Sequence, residues 1–202
     1  GMHTHMSLFK DGKNVFDDPQ GEMGLSKEAY YFIGGLLKHC KAITAIANPL
    51  VNSYKRLTSG YDAPRYIAWS ENNRSSLIRI PFARGVGSRI ELRSPDPSAN
   101  PYLMFAVCLE AGLDGIKNKI LPPKLIRRNI FTMTEEERAA ENIEAMPLNL
   151  EEALKEMKKD SMIREVLGDH IFEKYKEAKE KEWDAYTNFV TDWEVEQYLY
   201  KI

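Results

Sequence analysis

The sequence predicts an α+β protein: a partial, mostly antiparallel sheet that carries the candidate site, packed by two long helices and followed by a helical region. Three observations predict it. Short β-prone segments stand at residues 3–9, 66–70, 76–81 and 89–93, separated by Gly-, Pro- and Asn-bearing turns. Two long stretches, residues 26–47 and 97–119, repeat apolar residues at steps of three and four, as helices with a buried face do. Beyond Leu121-Pro122-Pro123 the chain turns highly charged and helical in pattern, so residues 1–120 read as a sheet-and-helix part and residues 121–202 as a helical region of the same domain.

The elements follow in order. His3-Thr4-His5-Met6-Ser7-Leu8-Phe9 alternates like a strand, placing His3, His5 and Ser7 on one face. Asp11-Gly12-Lys13-Asn14 reads as a turn and residues 17–24 as a loop. Ser26 is the expected N-cap of the first helix, whose stripe runs through Tyr30, Ile33, Leu36, Leu37, Cys40, Ile43 and Ile46 until Asn48-Pro49 ends it. Residues 52–57 look like a short turn or helical piece, and residues 58–64 like a loop. Asp96 and Pro97 are read as cap and opening of the second helix, apolar nearly all round from Leu103 to Leu109 and therefore expected to be buried.

Asn149 with Glu152 resembles a capping box, and Gly168-Asp169 separates two helices. From Phe172, apolar residues at Tyr175, Ala178, Tyr186 and Phe189 form one stripe amid solvated lysine and glutamate. Trp193 to Ile202 is an apolar, aromatic segment that either packs home or docks on a neighbour.

Composition narrows the function classes. The chain has 202 residues, 43% of them hydrophobic, enough for one sizeable core. With 28 basic and 30 acidic residues the net charge is −2, and no bulk field favours nucleic acid or an anionic membrane. No apolar run approaches a bilayer span of roughly 20 residues. Cys40 and Cys108 lack a metal spacing and read as buried free thiols of a cytoplasmic protein. A chain that opens within a strand is expected to have lost what precedes it.

The candidate chemistry lies in Arg89-Ile90-Glu91-Leu92-Arg93. On a strand Arg89, Glu91 and Arg93 share one face while Ile90 and Leu92 pack behind. Such a face is either a surface strand with a cross-strand ion pair or a site holding a metal among anions, because guanidinium matches carboxylate and phosphate geometry and glutamate ligates divalent ions. His3 and His5 at i and i+2 are similarly open: both can ligate a metal, or one ligates while the other touches a ligand. Arg56, Arg74, Arg79, Arg89 and Arg93 fall within forty residues, with only Asp62, Glu71, Glu91 and Asp96 as nearby acids. That excess points to a bound anion such as a nucleotide phosphate or a carboxylate. No glycine-rich phosphate loop is present, so phosphates would be held by side chains and metal.

Met2-His3-Thr4-His5-Met6-Ser7-Leu8, Asn48-Pro49-Leu50-Val51-Asn52-Ser53-Tyr54-Lys55-Arg56-Leu57, Asn73-Arg74-Ser75, Ile78-Arg79-Ile80-Pro81 and Arg89-Ile90-Glu91-Leu92-Arg93 occur in the order seen in glutamine synthetases. The chain resembles the C-terminal catalytic-domain part of the type I bacterial and archaeal enzymes. The resemblance implies His3 and Glu91 as ligands of a Mg2+ or Mn2+ ion. It implies His5, Ser7, Arg74, Arg79 and Arg89 on ATP, Arg56 and Arg93 on glutamate, and Asp62, Arg79 and Arg93 in catalysis. Loop 60–64 resembles the flap that closes over glutamate.

The implied reaction is ATP-dependent amidation of glutamate by ammonia through a γ-glutamyl phosphate. Asp62 stands where the family usually has glutamate, which leaves a larger amine open as co-substrate. Phe131 fills the place of the tyrosine that is adenylylated in some relatives, so that control is expected to be absent. The family's N-terminal small domain and its remaining metal glutamates precede His3, and its sites form between subunits of a dodecamer. The chain alone is therefore expected to hold part of a site and to be inactive. A non-catalytic relative with a structural or regulatory role is the remaining alternative.

Overall fold

The computed structural model describes residues 1–57, 63–199 and 201. Four short strands form the main sheet in the order β1-β6-β5-β4, where β1 is Thr4–Met6, β4 Tyr66–Ser70, β5 Ser76–Arg79 and β6 Ile90–Leu92. β6 pairs antiparallel with both β1 and β5, while β4 and β5 run parallel, so the sheet is mixed with two antiparallel pairs of three. The expected first strand is split. After Met6 the chain leaves the sheet and makes a separate hairpin of β2 (Phe9–Lys10) and β3 (Lys13–Asn14). The turn between them, Asp11-Gly12, has φ of 51° and 76°, the left-handed pair that lets a two-residue turn follow strand twist.

One sheet face is apolar and one polar because the side chains alternate. Thr4, Leu92 and Ile78 lie opposite one another across β1, β6 and β5 and are buried in the core. Against the sheet pack α1 (Lys27–Ala47) and α2 (Pro101–Asn118). Ser26 caps α1 as the sequence predicts, its Oγ accepting from Ala29 N at 3.2 Å. The two helices approach so closely that a Cβ on Gly35 would stand 2.0 Å from the Ala111 carbonyl oxygen, and one on Gly115 2.0 Å from that of Tyr31. Only glycine fits there.

Three expectations are corrected. α2 opens at Pro101, with Asn100 as its cap, rather than at Pro97. The Asp96 carboxylate is spent on a local turn, accepting from Ser98 N at 2.8 Å, so it is not free to start the helix. Second, α2 is not buried all round: Met104, Val107, Cys108 and Ala111 are, whereas Phe105 and Leu109 face outward. Third, residues 119–134 are largely irregular, with one 3-10 turn at Ile130–Thr132. They cover β4, where their Ile126, Ile130 and Met133, with Ile143 from beyond α3, cluster with Tyr66 and Ala68.

α3 (Glu135–Ala140), α4 (Leu150–Lys159), α5 (Ser161–Thr187) and α6 (Asp192–Tyr198) complete the chain. α5 is broken at Gly168, whose φ of 71° is non-helical, as the sequence predicts. Its stripe is buried only at Phe172 and partly at Tyr175. Ala178, Tyr186 and Phe189 are exposed, while the second half of the helix touches the body through Trp183, which packs on the core, and Glu182, which accepts from Val51 N at 3.3 Å. Cys40 and Cys108 are buried free thiols.

Candidate active site

The polar face of the sheet is built by register. His5, Glu91 and Arg79 are Cα partners in turn across β1, β6 and β5, so three neighbouring strands each supply one polar side chain to the same row. Glu91 is the centre of the row and is 1% exposed. The Arg79 guanidinium donates from Nε to Glu91 Oε2. On the other oxygen, His3 Nδ1 lies 2.9 Å from Oε1, with His5 Nε2 at 4.0 Å from the same atom. Burial and the positive charge of Arg93 lower the pKa of His3 against the opposing pull of Glu91, which favours the neutral imidazole that ligates metals.

Beside this row opens a 400 Å3 cavity lined by Gly1, His3, Arg56, Ala63, Arg74, Arg79 and Arg93. Four arginines line it, and the Glu91 carboxylate, bonded to His3 and Arg79 of the lining, lies beside it. Three of the guanidiniums, those of Arg56, Arg79 and Arg93, are held by partners within the protein. Arg56 Nη2 donates to Asn48 Oδ1 at 3.1 Å and to the Ser94 carbonyl. Burial pushes the Arg56 pKa down, so charge on that group is costly without an anion in front of it. Arg93 is 3% exposed and donates from Nη1 to the carbonyls of Arg74 and Ser76. A pocket of four guanidiniums, three of them held in place, can bind carboxylate and phosphate together and stabilise charge moving between them.

The expected site residues therefore divide. His3, Arg56, Arg74, Arg79 and Arg93 meet at the cavity, with Glu91 at its floor. His5 and Ser7 line a neighbouring 360 Å3 cleft with Thr4, Met6, Leu8, Phe32, Phe105 and Leu109. Arg89 goes with this second group, its Nε donating to His5 Nδ1 at 3.3 Å. Asp62 and most of loop 60–64 lie outside the described residues.

The pair His3 and Glu91 suits a divalent ion. Two cis donors at about 2.1 Å from an octahedral metal stand about 3 Å apart, close to the 2.9 Å between Nδ1 and Oε1. Among the described residues no group of three or more His, Cys, Asp or Glu is placed to hold a metal, so these two are a partial ligand set.

Sequence reasoning missed the supports. Asn48 at the end of α1 is wholly buried and holds Arg56, and its only signal was its place beside Pro49 at a helix end. Asp17 and Asn14 fix the loop entering β6. Asp17 Oδ1 accepts from Gly85 N at 2.6 Å and Ser88 Oγ at 2.8 Å, and Asn14 Nδ2 donates to the Ser88 carbonyl at 2.7 Å. Such contacts span some seventy positions and leave no local pattern.

Comparison with known proteins bears on the family and the fold. The family model described as glutamine synthetase, catalytic domain, matches residues 1–198. The chain is 58% identical over 200 residues to a glutamine synthetase of Thermotoga maritima, covering 99% of this chain and 46% of that protein. It is 57% identical over 199 residues to one of Methanosarcina mazei, covering 98% and 44%. A solved GmaS/ADP complex superposes with a TM-score of 0.87 at 40% identity, over 98% of this chain and 45% of that one. The chain thus spans just under half the length of the curated relatives it matches. It belongs to the glutamine synthetase catalytic-domain family.

Proposed function

We propose that this chain is the arginine-bearing part of an ATP-dependent glutamate–ammonia ligase, which makes glutamine through a γ-glutamyl phosphate. The observation that carries this reading is the cavity lined by His3, Arg56, Arg74, Arg79 and Arg93, above the buried Glu91. The first step brings a carboxylate and a polyphosphate together, and such like charges approach only where fixed cations separate and neutralise them. Arg56 and Arg93 receive the substrate carboxylate. Arg74 and Arg79 face the transferring phosphoryl group, and Arg89 with His5 and Ser7 contacts the rest of the nucleotide.

His3 and Glu91 would hold a Mg2+ or Mn2+ ion, which when bound neutralises phosphate charge. Asp62 is the expected acceptor of the proton from the incoming ammonium. The exposed Trp193, Val195, Tyr198 and Leu199 on and after α6 support a subunit contact, in keeping with a homo-oligomer. In this reading the chain holds part of a site and does not turn over alone.

The test is phosphate release from ATP, dependent on glutamate and ammonia. It is run on this chain and on a fusion joining it to the part of the Thermotoga maritima relative that it does not match. The fusion is expected to be active and the chain silent. Turnover by the chain alone overturns the half-site reading. A soluble fusion silent with ammonia but active with a larger amine reassigns the co-substrate, the choice on which Asp62 bears.

A further inference from the structure

A 340 Å3 cavity opens between α4 and the start of β4, well apart in its lining from the arginine cavity, with which it shares no residue. Its size falls at the low end of small-molecule sites. Arg65, half-buried on the residue before β4, forms part of the wall. Outside the candidate active site, every other described arginine is answered from within the protein. Arg127, Arg128 and Arg164 take carboxylates, and Arg84 and Arg138 take main-chain carbonyls. Arg65 alone among the described residues has neither, and its buried Nε finds no acceptor. A partly desolvated guanidinium left so is costly, and an oxyanion seated against its fork removes the cost.

The rest of the lining leans the same way. Lys41, Lys155 and Lys159 join Arg65, against the two carboxylates of Glu152 and Glu156. Glu152 is spent on the chain, accepting from Leu148 N at 2.8 Å and from Asn149 Nδ2 at 3.1 Å. Glu156 takes Lys159 Nζ at 2.6 Å. Lys41 and Lys155 rest on Glu144 and Glu151, which stand outside the lining. These lysine pairs are partly or largely exposed, and such pairs are worth little, so the ammonium groups can turn to an anion. We propose that this cavity binds a small multivalent oxyanion, a phosphate or a di- or tricarboxylate. Arg65 takes two of its oxygens, and Lys41, Lys155 and Lys159 close around it. Ala63, two residues before Arg65, lines the arginine cavity, so the two sites meet on one stretch of backbone.

The test follows the amides of Ala145, Met146 and Leu148, which border the cavity, by NMR of this chain. Inorganic phosphate and citrate are titrated separately against sodium chloride of equal ionic strength. Saturable shifts are expected with at least one of the two anions and none with chloride. Tighter binding of phosphate assigns the site to phosphorylated ligands, and tighter binding of citrate to carboxylates. Arg65→Met is expected to weaken binding at least tenfold. Lys155→Gln with Lys159→Gln is expected to weaken it about threefold, and decides the matter if Arg65→Met does not fold by circular dichroism. Arg74→Met, in the arginine cavity, is expected to leave these shifts and their midpoint unchanged.

Shifts that fail to saturate, that chloride reproduces, or that survive the loss of Arg65 or of both lysines overturn the proposal. So does a titration in which only amides beside the arginine cavity move, which would leave that cavity as the chain's anion site and Arg65 without a ligand.

Discussion

His39 Nδ1 and Asp160 Oδ2 stand 2.6 Å apart, tying the middle of α1 to the elbow between α4 and α5. The other ring nitrogen, Nε2, lies 3.0 Å from Asp114 Oδ2 on α2. Burial acts to lower the pKa of His39, but its bonds to Asp160 and Asp114 outweigh it and the pKa is raised. The same contact seen from Asp114, helped by Lys38, holds that carboxyl down to about 2. A ring with a carboxylate on each side is most stable as imidazolium, donating twice.

The sign of its pH dependence follows. A histidine raised in the folded state contributes stability that is complete below the unfolded value near 6.5 and is lost as pH rises through the folded value. The thermal midpoint is therefore expected to fall on the alkaline side of 6.5, a slope that His39→Gln should flatten. The substitution itself should cost about 1–2 kcal/mol at pH 6, since it leaves half-buried carboxylates short of a donor. An unchanged slope in calorimetry of the variant across pH 6–9 counts against this account.

Arg79 and Glu91 form a second coupled pair. Glu91 is 1% exposed, so Arg79→Met strands a buried carboxylate and should cost about 3 kcal/mol in urea unfolding. The double variant Arg79→Met with Glu91→Gln should recover about half of that, because the charge needing a partner has gone. Additive losses in the cycle would show that the two side chains act independently.

The contact of α1 with α2 yields a packing prediction. A Cβ on Gly35 meets backbone, the Ala111 carbonyl, which cannot swing aside as a side chain would. Gly35→Ala should therefore cost about 3 kcal/mol despite the better helix propensity of alanine, lowering the thermal midpoint by roughly 6–12 °C. A stabilised variant would mean that the helices lie farther apart than described here.

The α6 region should behave oppositely. Trp193 and Tyr198 stack edge to face at 5.9 Å, yet both are mostly exposed. Trp193→Ser with Leu199→Ser is expected to leave the thermal midpoint of this chain within about 2 °C, as surface changes do. In the fusion with the rest of the relative, the same changes should reduce assembly size by analytical ultracentrifugation. A large loss of stability in the isolated chain would instead place these side chains in its own core.

What was legible in the sequence was local. Ser26 as a cap, the break at Gly168, and the alternation that puts Glu91 on one face and Leu92 on the other all follow from periods and turn chemistry within a few residues. Partners were not legible. Arg79 takes Glu91, but Arg56 and Arg93 take main-chain carbonyls, acceptors that every residue carries and no pattern marks. The parallel pairing of β4 with β5 was equally hidden, because a strand's period states its faces and not its neighbour's direction. The outward face of α2 misled for a different reason: its apolar residues promise burial that this chain does not itself supply.

The row His5–Glu91–Arg79 sets a rule for how the loop before β6 can change in length. Ile90 and Leu92 belong to the core, and Glu91 between them points to the row it shares with His5 and Arg79. A one-residue slip of β6 would send a carboxylate inward and an aliphatic outward, so shape and chemistry would fail in the same step. Asn14 and Asp17, gripping Gly85 and Ser88 from outside, act as the stop that keeps count. Insertions within residues 82–87 that loop outward are tolerable only while that grip on Ser88 survives. The hairpin before α1 is thus the reading frame of a strand more than seventy residues away.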